Sequence, residues 1–155
     1  MTDLRTKFDL SQLSGDLSKN GLLLEQDDSL KTAVVISLFT DQRAKLDDFI
    51  PGNSTDLRGW WGDAWSEISN KRIGSRLWLL SREKQLPDVL VRAKQYAEEA
   101  LQWLIDQGIV NTIEVTATFS ATSVLALQIQ IVRPYKSAID YKFNYIWETG
   151  DAYAI

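Results

Sequence analysis

Over the last third of the chain apolar and polar residues alternate. Ile113, Val115, Ala117 and Phe119 are interleaved with Thr112, Glu114, Thr116 and Thr118. Leu125, Leu127, Ile129 and Ile131 follow, separated by residues such as Gln128 and Gln130. Ile139, Tyr141, Phe143, Tyr145 and Trp147 then alternate with Asp140, Lys142 and Asn144. A period of two puts successive side chains on opposite faces, so each run reads as a strand with one buried face. Three such runs joined by short polar turns predict an antiparallel meander. The last run is a candidate for the sheet edge.

Before Gly108 the period is that of a helix. Leu90, Ala93, Ala97, Ala100, Leu101 and Leu104 form an apolar stripe behind Pro87, which the first turn of a helix tolerates, and Gly108 suits a left-handed cap. An earlier helix is predicted from the capping residues Asp27-Asp28-Ser29 to about Thr40, with Leu30, Ala33, Val34 and Leu38 inward. A short helical turn is expected over 75–81. Asn20-Gly21 is a tight-turn dipeptide, predicting a short N-terminal β-hairpin that ends near Gln26. Residues 41–74 carry Pro51-Gly52-Asn53, Gly59, Gly62 and Gly74 and read as a long loop. The expected fold is α+β: a C-terminal three-stranded meander packed against two main helices, as one domain over 1–155 with its core at about 15–147.

Composition narrows the chemistry more than the fold. The chain has 155 residues and contains neither cysteine nor histidine. Thiolate nucleophiles, disulfides, Cys/His zinc sites, Ser-His-Asp triads and imidazole proton shuttles are therefore excluded. Carboxylate, lysine, tyrosine or oxygen-ligated metal chemistry survives. Asp27-Asp28 and Asp47-Asp48 lack the spacing and glycine of a calcium loop, so they read as caps or solvated groups. No apolar run approaches the roughly 20 residues of a membrane span. The opening Met-Thr-Asp-Leu-Arg is not ordered like a secretory signal, which leads us to expect a cytoplasmic product. No catalytic, cofactor or metal residues are expected.

Charge is unevenly spread. Residues 71–94 hold Lys71, Arg72, Arg76, Arg82, Lys84, Arg92 and Lys94 against Glu83 and Asp88, a net of +5 within a chain of net −4. Solvated helix faces are one reading of this patch, and a docking surface for an acidic protein partner is the other. The acidic total argues against nucleic acid. Trp60, Trp61 and Trp65 share the loop containing Arg58-Gly59-Trp60-Trp61-Gly62-Asp63. They can fill the core, or they can anchor a protein interface, where Trp and Arg concentrate. A sugar site with Asp63 and Glu67 as an acid/base pair is a third reading, but nothing in the spacing indicates a raised carboxyl pKa. The bulk of Trp60-Trp61 argues against a phosphate cradle. The aromatic last run can pair with an added strand or be covered by the chain's own elements.

Several of these segments, in order, resemble the Mu-type phage tail protein family of gene product 46. They are Leu30–Asp41, Arg58-Gly59-Trp60-Trp61-Gly62-Asp63, Gly74-Ser75-Arg76-Leu77-Trp78-Leu79-Leu80 and Tyr96–Leu104, within a match of roughly 15–147. That family is similar in turn to sheath-initiator, lysozyme-like baseplate wedge proteins of contractile tails. The resemblance implies a non-enzymatic virion protein, assembled in the bacterial host cytoplasm and arranged as a ring of copies in the baseplate. Its implied partners are baseplate wedge proteins and the tail sheath protein, with no nucleic acid and no membrane. Sheath arms are expected to add strands to its terminal β elements. Of the Gly-Glu-Arg that related initiators carry after the first helix, only Arg43 of Asp41-Gln42-Arg43 carries over. The turn Pro134-Tyr135-Lys136-Ser137 lacks the family's Asp-Gly. The expected partner contacts are Arg43, Arg58, Trp60, Trp61, Arg76, Trp78, Tyr141, Phe143, Tyr145 and Trp147. The competing readings are an adaptor or chaperone that binds an acidic partner through 71–94, and a peptidoglycan glycosidase built on the Trp-carboxylate loop.

Overall fold

The computed structural model describes residues 3–9, 14–17, 19–20, 23–24, 26–27, 30–65, 72–81, 83–122, 124–146 and 151–154. The three alternating runs form β7 (Thr112–Ala121), β8 (Val124–Val132) and β9 (Ile139–Ile146), paired antiparallel in sequence order. Val115 lies opposite Ile129, and Leu127 opposite Phe143, so the apolar positions of all three strands share one face. On that face Val115, Leu125, Leu127, Ile129, Ile131 and Phe143 are at most 2% exposed. Fully burying such side chains stabilises the fold by about 1.5–3 kcal/mol each.

The expected α+β architecture is present, with one addition. A fourth strand, β10 (Asp151–Ala154), pairs antiparallel with Phe143–Ile146 of β9. The sheet order is therefore β10-β9-β8-β7. The last alternating run is not a free edge, because its second half is paired on both sides. Of the described strands, the long one at a sheet edge is β7.

The long helix α2 spans Pro87–Asp106, with Val89, Ala93, Tyr96, Ala97, Ala100, Leu101 and Leu104 buried. Gly108 follows at φ 68, the left-handed conformation expected of a helix stop. Helix α1 spans Lys31–Phe39 and buries Ala33, Val34 and Leu38. Its start differs from expectation. Leu30 occupies the cap position at φ 68 with no side-chain cap hydrogen bond. Asp27 instead belongs to a strand, β6 (Gln26–Asp27), and faces Asp3 of β1 (Asp3–Leu4). The remaining predicted caps, Asp28 and Ser29, lie outside the described residues. Pairing with β1 has replaced capping, and the Thr32 hydroxyl donates to Leu4 O at 2.9 Å to tie this ladder to α1.

Two further ladders lie between β1 and β6. β2 (Thr6–Asp9) pairs with β3 (Ser14–Leu17), and β4 (Lys19–Asn20) pairs with β5 (Leu23–Leu24). The second is the hairpin expected around Asn20-Gly21. The first was not legible in the sequence.

The long loop is organised around Ser75. A parallel bridge joins Asp41 to Ser75. Gln42 N–H donates to Ser75 O, and Ser75 N–H to Thr40 O, both at 2.9 Å. The Ser75 hydroxyl donates to Leu38 O and accepts from Leu77 N–H. A buried loop must satisfy its backbone polar groups, and one buried serine here serves the end of α1 and the next turn together. That turn, a 3₁₀ segment over Leu77–Leu80, is wholly buried against the core.

Candidate interaction surface

The ten residues singled out as partner contacts separate by burial. Arg76 is 5% exposed and donates to Asp48 at 2.7 Å and to Glu99. Its guanidinium also lies 4.5 Å from the centre of the Tyr96 ring. Desolvation pulls the Arg76 pKa down, but the hydrogen bonds and charges of Glu99 and Asp48 more than offset it, leaving it above the ordinary value. Trp78 is 4% exposed, and its indole N–H donates to Gln42 O at 2.8 Å. Tyr141, Phe143 and Tyr145 occupy the inward positions of β9 and are buried. Phe39 of α1 meets Phe143 edge-on and stacks on Tyr145. These five side chains are buried within the domain and pack its interior. Trp147 lies outside the described residues.

Arg43, Arg58, Trp60 and Trp61 are exposed and share one cleft of about 350 Å³ with Asp63 and Arg72. Arg58 acts as a clamp: it pairs with Asp41 at 2.7 Å and lies 4.5 Å over the Trp78 ring, linking the loop to the core. The Trp60 ring covers Gly62, where an added β-carbon would come within 2.2 Å of it. The two indoles then meet at a tilt of 43°, with centres 5.5 Å apart. Asp63 N–H donates to Trp60 O, and the Asp63 carboxylate accepts from Ile73 N–H at 3.1 Å. The loop is thus pinned at Asp41, Gly62 and Ile73, and it holds Trp61 at 75% exposure.

Three of the five described basic residues of the patch over 71–94 are ion-paired. Arg92 pairs with Glu83 and Asp88, Lys94 pairs with Glu98, and Arg76 is buried with its own acids. Lys71 and Arg82 lie outside the described residues. Arg72 and Lys84 have no ion-pair partner among the described residues. Sequence reasoning placed Arg72 in the patch but missed that it joins the tryptophan loop, because Arg43 and Arg72 are far apart in the chain. For the glycosidase reading, Asp63 is engaged with Ile73 N–H, and Glu67 lies outside the described residues. A second cleft, of about 580 Å³, runs between α1 and α2 past Ile36, Ile73 and Trp103, with the Trp103 indole N–H donating to the Ser37 hydroxyl at 3.0 Å.

A pinned loop displaying two indoles beside Arg43 and Arg72, which have no ion-pair partner among the described residues, has the chemistry of a protein-contact surface, since such groups bury large areas while keeping a polar handle. The chain belongs to the family described as Phage protein GP46, whose model matches residues 30–138. It is 50% identical over 130 residues to baseplate protein gp46 of Escherichia phage Mu, covering 84% of this chain and 88% of that protein. It is 42% identical over 133 residues to Mu-like prophage FluMu protein gp46 of Haemophilus influenzae, covering 86% and 90%.

Proposed function

We propose that this chain is a structural component of a phage tail baseplate, located in the virion and working without catalysis. The observation that carries this reading is the 50% identity, over most of both chains, to a Mu protein named for the baseplate. More finely, the chain joins baseplate wedge proteins to the first ring of sheath subunits, in multiple copies around the tail. The exposed Trp/Arg loop supplies the wedge-side anchor, and a sheet edge receives a strand from the sheath.

The edge best suited to that addition is β7. It is ten residues long, contains no proline or lysine, and has Glu114 as its only charge. Edge strands are commonly blunted by charge, proline or shortness, and β7 has little of this protection. A strand added there gains main-chain hydrogen bonds without side-chain matching. β9, the edge candidate from sequence, is paired with both β8 and β10 over Phe143–Ile146 and so lacks a free edge there.

The test uses the absence of native cysteine. A photoactivatable maleimide on Thr116→Cys or Thr118→Cys, both on the exposed face of β7, is expected to cross-link to sheath protein in purified tails. The same probe on Asp106→Cys, at the end of α2, is expected not to. Cross-linking from Asp106 but from neither β7 position would move the sheath contact away from this edge.

A further inference from the structure

The cleft beside the tryptophans contains a mixed set of polar groups. Arg43 and Arg72 line it, and neither has an ion-pair partner among the described residues. Arg58 lines it too, but its charge is answered by Asp41. Asp63 contributes one oxygen already used by Ile73 N–H, while the other, Oδ2, is buried and without a hydrogen-bond partner among the described residues. Trp60 and Trp61 form an apolar wall, 40% and 75% exposed.

We infer that this recess takes an aspartate or glutamate side chain carried on an apolar peptide segment of a protein partner. A carboxylate in this recess answers Arg43 and Arg72, two cations without an ion-pair partner among the described residues, and charge-assisted hydrogen bonds of this kind are among the stronger ones. The indoles cover the apolar flank of the segment. The exposed Trp60 and Trp61 favour a polypeptide over a small inorganic anion, which has no apolar flank for them to cover. Of the basic run at 71–94, Arg72 lines this recess, joined by Arg43 from the other side of the loop. This inference rests on reading the loop as a contact surface, and it can be tested without phage particles.

The probe is the peptide acetyl-Leu-Glu-Leu-Asp-Leu-amide, compared with its Gln/Asn counterpart and with a Lys counterpart. The readout is the indole N–H resonances of Trp60 and Trp61 in the intact protein, assigned with Trp60→Phe and Trp61→Phe. The acidic peptide is expected to shift both resonances in a saturable way, less as salt is raised from about 0.05 to about 0.5 M. The amide and Lys peptides are expected to leave them in place. Arg43→Gln with Arg72→Gln, both at exposed positions, is expected to weaken binding at least about tenfold while leaving the remaining resonances unmoved. Equal response to the acidic and amide peptides, preference for the Lys peptide, no response at about 10 mM, or binding unchanged in the double variant would each overturn the inference. Failure here leaves the baseplate reading standing, because that is decided by where the chain sits in tails.

Discussion

Arg76 and Asp48, 28 positions apart in sequence, form an ion pair at 2.7 Å with side chains only 6% and 9% exposed. Asp48 also accepts from Lys45 N–H at 2.8 Å, so the pair fixes the loop after α1 onto α2, where Glu99 completes the site. Removing one partner leaves the other charge buried and unanswered. Arg76→Ala is expected to cost about 3–5 kcal/mol in urea denaturation. Arg76→Met with Asp48→Leu is expected to recover a large part of that loss, since apolar replacement removes both charges together. A loss under about 1 kcal/mol for Arg76→Ala would show that Arg76 does not hold the loop.

Tyr96 lies under the same guanidinium and gives a pH signature. Burial pushes its phenol pKa above the ordinary value of 10, with the Arg76 charge pulling the other way. Above about pH 10 the unfolded chain releases this proton while the folded chain keeps it. The Tyr96 contribution is therefore complete below the unfolded pKa and is lost as pH rises through the folded one. Tyr96→Phe keeps the ring against Arg76 but removes the titration. Stability measured from pH 9 to 11 is expected to fall less steeply for Tyr96→Phe than for the parent. Parallel curves would count against burial of the hydroxyl.

The tryptophans divide by role. Trp78→Ala removes a buried ring and its bond to Gln42 O, and is expected to cost about 3–5 kcal/mol. Trp61, 75% exposed, is expected to change stability by less than about 0.5 kcal/mol when replaced by alanine. If Trp61 anchors a partner, the same change removes about 2 kcal/mol or more from the contact and sharply lowers the yield of complete tails. Thermal melts and counts of complete particles separate the two effects. Normal tail yield from Trp61→Ala would remove Trp61 from the interface.

What the sequence revealed was periodicity. The stripe from Leu90 to Leu104 and the alternation from Ile113 to Trp147 located α2 and the meander, because burial on one face imposes a regular spacing. β10 escaped because four residues, Asp151–Ala154, are too few to show a period. Asp27 misled as a cap because it pairs as a strand residue with Asp3, and strand pairing competes with capping for the same backbone. The candidate site was only partly legible. An Arg beside a Trp reads as an interface pair in sequence whether it is exposed, like Arg58 and Trp60, or interior, like Arg76 and Trp78. Burial decides between the two, and it depends on partners such as Asp48 and Glu99 far along the chain. The meeting of Arg43 with Arg72 likewise has no local signal.

The baseplate assignment is tested most directly by locating the chain in purified tails. A gold-labelled tag on this protein, with mass spectrometry of the same particles, is expected to place it at the baseplate end of the tail. Its copy number is expected to be fixed and far below that of the sheath protein. Label spread along the sheath, or tails that are complete without the chain, would contradict a structural role in the baseplate.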